Sequence, residues 1–218
     1  MSSLKLILKN IYETLLIGIF VVIALGLILV YIPRELAIEL VDEDGPVETA
    51  QVILYFAAAI LCLTFKALNM WDRGLNAGLI FIAFALRELD FQVKFTDISV
   101  TRTKFYFAPD VPLETKIIAG IIVIGIIWLI NSFAWKNFKS LINGVKDNKI
   151  WSILAMNGII FIFLAIEVDI SLRGFEVNKE REIIKSFFEE LVEMAIPIYF
   201  LAALITYGIS FSKSRRGL

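Results

Sequence analysis

The side chains in this sequence whose type and placement could do chemistry are acidic. Eight of them lie in or beside stretches that are otherwise apolar enough to cross a membrane: Glu48, Glu88, Asp90, Glu167, Asp169, Glu189, Glu190 and Glu193. A carboxylate near hydrocarbon costs about 2.5–3.5 kcal/mol unless it is protonated, paired or bound to a cation. We therefore interpret these acids as parts of a polar functional site.

The charge in this group is unbalanced. Among the eight acids stands one basic residue, Arg87, which leaves a formal excess of seven negative charges, and the nearby Lys94, Arg173 and Lys185 reduce it to four. Three interpretations are open: several carboxyl groups hold protons, the acids bind a metal or an organic cation, or part of the group lies at the wet rim of the membrane.

Composition indicates which elements position these acids. The 218 residues are 59% hydrophobic, with a mean hydropathy of +0.80, which excludes a soluble globule. Six long apolar runs predict an all-α polytopic membrane protein, a six-transmembrane-helix bundle that forms a single domain over residues 1–218. The expected helices are about 11–33, 47–69, 74–95, 114–136, 150–172 and 183–211. The third apolar run is short, so its helix is expected to continue through Arg87, Glu88 and Asp90.

The distribution of lysine and arginine predicts the orientation. If both termini are cytoplasmic, the inner segments carry eleven basic residues against Glu13, Asp72 and Asp147. This satisfies the positive-inside rule for a protein of the cytoplasmic (inner) membrane. The acidic group then lies in the outer half of the bilayer.

Spacing within the helices refines the site. Glu48, Gln51 and Tyr55 stand at i, i+3 and i+7, which predicts a polar stripe on one helix face. Pro197 has no N–H to donate to the carbonyl of Glu193. The expected ligand- or cation-binding residues are Glu48, Gln51, Tyr55, Arg87, Glu88, Asp90, Glu167, Glu190 and Glu193, with Glu88, Glu167 and Glu193 as candidate metal ligands. Oxygen-only ligands favour a hard divalent cation such as Mg²⁺, Mn²⁺ or Ca²⁺.

The absence of histidine from the sequence excludes several classes of membrane protein. Histidine-ligated haem, histidine-dependent zinc hydrolases and rhomboid proteases are not expected. No P-loop, dinucleotide-binding glycine pattern or nucleophile elbow occurs, and no catalytic or cofactor-binding residue is assigned. The basic tail from Lys213 to Arg216 is expected to contact anionic lipid rather than nucleic acid, so membrane lipids are the expected partners. Oligomeric state is left open. Asn131 and Asn157 are expected to form hydrogen bonds between helices.

Three segments carry a resemblance to other proteins: Glu43-Asp-Gly-Pro-Val-Glu48, Arg87-Glu-Leu-Asp-Phe91 and Glu189-Glu-Leu-Val-Glu193. Together they resemble signatures of small multi-pass inner-membrane proteins of bacteria with no assigned activity. The resemblance implies a multi-pass membrane fold and carries no function with it.

Three functions fit the sequence. The favoured one is a protein that binds or transports a cation, a proton or a small polar ligand. The first alternative is a metal-dependent enzyme that acts on lipid headgroups, in which one carboxylate is the general base. The second is a structural or sensory membrane partner in which each buried acid has its own basic residue. The favoured function predicts that Glu48, Glu88, Glu167 and Glu193 converge on one cavity.

Overall fold

A computed structural model of the chain describes residues 3–29, 31–41, 45–91, 93, 98–100, 103–172 and 179–215. All regular elements in these ranges are α-helices. The longer ones are α1 (Ser3–Leu29), α2 (Arg34–Val41), α3 (Pro46–Ala67), α4 (Gly74–Glu88), α5 (Leu113–Lys146), α6 (Ile150–Leu172) and α7 (Lys179–Arg215). A further helix of five residues covers Thr103–Phe107.

Five of these helices are long and apolar enough to cross a membrane. The candidate spans are Leu6–Leu27, Pro46–Ala67, Leu113–Lys146, Ile150–Val168 and Ser186–Arg215. The span in α5 shows the environment most clearly, because only 6% of its most apolar window is buried. Such a surface is stable in hydrocarbon and not in water. The predicted all-helical, multi-pass membrane class is confirmed, whereas the count of six membrane-crossing helices is not.

The difference in count arises at α4, which ends at Glu88 instead of continuing to residue 95. Its 15 residues cover about 22 Å, less than the hydrocarbon thickness of about 30 Å. Asp90 adopts a left-handed backbone with φ of 44°, and this conformation stops the helix. The N–H of Asp90 bonds to the carbonyl of Arg87, and the N–H of Phe91 bonds to that of Leu86. These two bonds form a Schellman cap.

The same cap ends two other helices, each time with asparagine where glycine is the usual residue. Asn69 after α3 and Asn148 after α5 have φ of 53° and 54°. After α3, Asn69 N–H bonds to the Lys66 carbonyl and Met70 N–H to the Phe65 carbonyl. Asparagine and aspartate tolerate this conformation better than other side chains do, because their short polar groups bond locally.

A substitution at Asn69 tests this cap. We expect Asn69→Val to lower the free energy of unfolding by about 1–2 kcal/mol, because a branched side chain is strained in the left-handed region. Asn69→Gly is the matched control and should stay within about 0.5 kcal/mol of wild type. Thermal unfolding in detergent measures both variants. Equal stability of the valine and glycine variants would show that residue 69 is not left-handed.

The chain forms two compact units. The first contains Met1–Leu54 and Lys139–Leu218. Its core is built mainly by α6 and α7, with Phe161, Leu191 and Tyr199 among the buried side chains. α1 packs antiparallel to α7, because Gly18 lies against the ring of Tyr199 and Gly26 against the ring of Phe188. The two chain ends of this unit therefore lie on the same side.

The second unit is Tyr55–Phe138. In it α4 turns back along α3: Gly74 lies against the carbonyl of Cys62, and Gly78 lies near Leu63. The ring of Tyr55 stacks with that of Phe81 at a centroid distance of 6.4 Å. Two glycines on one face of α4 thus allow close antiparallel packing of the helix pair.

Candidate polar site at Gln51 and Glu190

Gln51 lies near the start of α3, and its side chain is completely buried, with 0% exposed. The helix begins at Pro46, whose missing N–H is not needed at the first helical position. The Thr49 N–H then donates to the Gly45 carbonyl at 2.9 Å. Glu48 lies in the first turn, where the helix dipole favours a negative charge. These local features direct Gln51 to the same helix face as Glu48.

The Gln51 amide connects α3 to α7. Its Nε2 donates to the carboxylate Oε2 of Glu190 at 2.8 Å and to the main-chain oxygen of Glu190 at 3.0 Å. A hydrogen bond to a charged acceptor contributes about 1.5–3 kcal/mol. The pairing joins residues 139 positions apart in the chain. It is therefore a specific tertiary contact of the first unit.

The orientation of the Gln51 amide follows from its partners. Both Glu190 oxygens are acceptors, so the amide nitrogen must face them and the amide oxygen must face away. Within the described part of the chain, the buried Gln51 Oε1 has no hydrogen-bond donor. A buried acceptor left in this state costs about 1–3 kcal/mol. The site therefore favours a ligand that donates a hydrogen bond or carries positive charge.

The two candidate ligand oxygens lie close together. Gln51 Oε1 and Glu190 Oε2 are separated by at most about 5 Å, because the same nitrogen lies about 2.3 Å from the first across the amide and 2.8 Å from the second. A cation that contacts both oxygens must therefore approach from beside the Gln51–Glu190 hydrogen bond and not along it. Three further acids on these helices, Glu48, Glu189 and Glu193, are half-buried.

Other predicted site residues belong to the second unit. Tyr55 is buried, and its ring contacts Phe81 and, edge to face at 5.6 Å, Phe84. Arg87 is exposed at the end of α4, where its Nη1 lies 3.8 Å from Oε1 of Glu88. The Glu88 side chain is only 9% exposed.

Asp90 is exposed, and its role in the backbone is the left-handed cap. Arg87 pairs with its sequence neighbour Glu88. At 3.8 Å and with an exposed arginine, this pair contributes little to stability.

Glu167, a predicted metal ligand in α6, has an exposed side chain. In the ranges that the structure describes, no group of three or more cysteine, aspartate or glutamate side chains could hold a metal ion. Lys94, Arg173 and the side chains of Asp169 and Lys185 lie outside the described residues. Asp42 to Asp44 also lie outside them.

The first unit contains a second polar contact. The sequence predicted an interhelical hydrogen bond at Asn157 but not the other residues that take part. The Asn157 Nδ2 donates to Thr14 Oγ1 at 2.6 Å, and Tyr199 Oη donates to the Thr14 carbonyl at 2.6 Å. Thr14 Oγ1 itself donates to the Asn10 carbonyl at 2.8 Å. The contact thus joins α1, α6 and α7. Thr14 stands at the start of a long apolar run and is its one polar member. That placement is the sequence signal from which this contact could have been found.

The expectation for Asn131 was wrong. Its Nδ2 donates to the carbonyl of Ile127, four residues earlier in the same helix, at 2.9 Å. A short polar side chain in an exposed helix commonly satisfies itself in this way. Asn157 is completely buried and bonds to another helix, as expected.

No family model, curated protein or solved structure matches this chain. The function is therefore inferred from the geometry at Gln51 and Glu190 and from the membrane class of the fold.

Proposed function

We propose that this integral membrane protein binds a cation, or a small polar ligand that donates hydrogen bonds, between Gln51 and Glu190. The observation that carries the proposal is the buried Gln51 Oε1 beside the carboxylate that its own amide nitrogen contacts. A cation or donor placed there satisfies the buried amide oxygen.

The size of the effect can be judged from the cost of the unsatisfied acceptor. Satisfying a buried acceptor recovers about 1–3 kcal/mol, which corresponds to about 5- to 150-fold in affinity. The carboxylate adds an attraction that is stronger in a membrane interior than in water. The site is therefore suited to modest, reversible binding, which both a receptor and a transporter require.

We propose that both termini face the cytoplasm across the inner membrane, since α1 and α7 run antiparallel and the inner segments of that topology are rich in lysine and arginine. Termini on one side require an even number of crossings. α4 then provides the sixth, although it is shorter than the other five.

The metal-dependent enzyme is the weaker candidate. It requires several carboxylates around one point, and the described residues contain no such group of three. We therefore prefer binding to catalysis.

A titration tests the proposal. Purified protein in lipid nanodiscs is heated with Na⁺, K⁺, NH₄⁺, Mg²⁺, Ca²⁺ or Mn²⁺ at constant ionic strength. We expect at least one of these cations to raise the melting temperature, and Glu190→Gln to weaken its binding tenfold or more, because the variant removes the charge but keeps an acceptor for Gln51.

The matched control is Glu167→Gln, which removes an exposed acid from α6 and should respond as wild type does. If no cation stabilises the wild type, or if both variants lose the response equally, the Gln51 and Glu190 site is not the binding site.

A further inference from the structure

An apolar groove runs along the surface of the first unit between α1 and α7. Its volume is about 310 Å³, and its lining is almost entirely aliphatic. Thr14 and Ala202 line one end, and Leu25 and Leu191 line the other. We call it the α1/α7 groove.

The dimensions of the groove limit what can occupy it. The rise along α1 from Thr14 to Leu25 is about 16 Å, about half of a hydrocarbon core of about 30 Å. The volume of about 310 Å³ is spread along this length, and the groove is open on one side. A single file of methylene groups, with van der Waals contacts at about 4 Å, fits.

The groove opens onto the surface that faces lipid. Ile17, Val21 and Leu25 on one edge and Ile198 on the other are exposed, and all lie in candidate membrane spans. The lining is therefore continuous with the boundary between protein and hydrocarbon.

The polar side chains that line the groove, Thr14 and Tyr199, already form hydrogen bonds. Tyr199 Oη donates to the Thr14 carbonyl, and Thr14 Oγ1 donates to the Asn10 carbonyl and accepts from Asn157. The groove is therefore an apolar channel, and it favours an occupant without polar groups along its length.

We propose that the α1/α7 groove binds one lipid acyl chain, extended parallel to the helices across one leaflet. The chain fills an apolar concave surface on which water finds almost no hydrogen-bond partner. This site is separate from the proposed cation site, and it depends only on the membrane location of the fold.

Photolabelling tests this proposal. The protein is reconstituted in nanodiscs of phosphatidylcholine that carries a diazirine in the middle of one chain, and labelled residues are mapped by mass spectrometry. We expect labelling of Val21, Leu25 and Met194 to exceed that of Ile121 and Ile124 in α5 severalfold. The two α5 residues are exposed to lipid on a convex helix and serve as the internal reference.

Two variants make the test specific. Ala202→Phe places a ring in the groove and should reduce groove labelling severalfold, whereas Ile205→Phe, on the exposed side of the same helix, should not. Val21→Phe, at the edge of the groove, replaces Ala202→Phe if that variant does not fold. Groove labelling no higher than α5 labelling, or equal labelling in filled and control variants, would overturn the proposal. Cross-links from Val21→Cys to a second copy, in a Cys62→Ser background, would also overturn it.

Discussion

A glutamate in place of Gln51 is expected to make the stability of the protein fall steeply as the pH rises. In the wild type a neutral amide donates to the Glu190 carboxylate at 2.8 Å. Gln51→Glu replaces that donor by a second carboxylate at the same distance. Two carboxylates this close cannot both ionise and instead share one proton.

The sign of the pH dependence follows from proton counting. In the unfolded chain the two carboxylates are far apart and both ionise freely, whereas in the folded variant their charges repel at close range unless one of them holds a proton. The folded state then binds more protons than the unfolded state, so stability is highest in acid and is lost as the pH rises. The slope is at most about 1.4 kcal/mol per pH unit, or about 3 kcal/mol between pH 5 and pH 7.

The control for this experiment is Gln51→Met, which has a similar length and no ionisable group. Its stability should follow the pH dependence of the wild type. Denaturation by SDS at several pH values measures all three proteins. If the difference in stability between Gln51→Glu and Gln51→Met is the same at every pH from 5 to 8, residue 51 does not face the Glu190 carboxylate.

The second large effect concerns the packing of α3 against α4. Gly74→Ala should lower the free energy of unfolding by about 3 kcal/mol, because its Cβ would lie on the carbonyl oxygen of Cys62. A backbone carbonyl cannot rotate away as a flexible side chain can. The helix pair must separate, and Gly78, packed near Leu63, would lose contact as well.

Gly125→Ala is the matched control in α5, where a Cβ meets no atom within 4 Å. The same substitution there should stabilise the helix by about 0.5–1 kcal/mol, because alanine loses less backbone entropy than glycine. The difference between the two variants in an SDS titration tests the close approach directly. Similar values for both would show that α3 and α4 are not packed at Gly74.

The sequence predicts the helical membrane class well because apolar runs of about 20 residues have few other stable outcomes. It also predicts the start of α3, since Pro46 and Glu48 are local signals. The end of α4 depends on whether charged residues continue a helix, and periodicity does not decide this. The helix ends because the backbone of Asp90 adopts a left-handed conformation, which an aspartate only sometimes takes.

The candidate site was predicted in part. The i, i+3 spacing places Glu48 and Gln51 on one face, and the acid at 190 was expected nearby. That Gln51 and Glu190 are direct partners depends on how α3 and α7 rotate against each other, although the two residues are 139 positions apart in the chain. No periodicity encodes that rotation. Glu167, like Glu190, is an acid in or beside an apolar stretch of sequence, yet its side chain is exposed.

An experimental structure in lipid, determined with and without the cation that gives the largest thermal stabilisation, tests the central claim most directly. We expect density within about 3 Å of both Gln51 Oε1 and the Glu190 carboxylate in the presence of the cation, and none there in Glu190→Gln. The claim would be contradicted if Gln51 Oε1 accepts a hydrogen bond from a protein donor in both structures while the cation binds elsewhere.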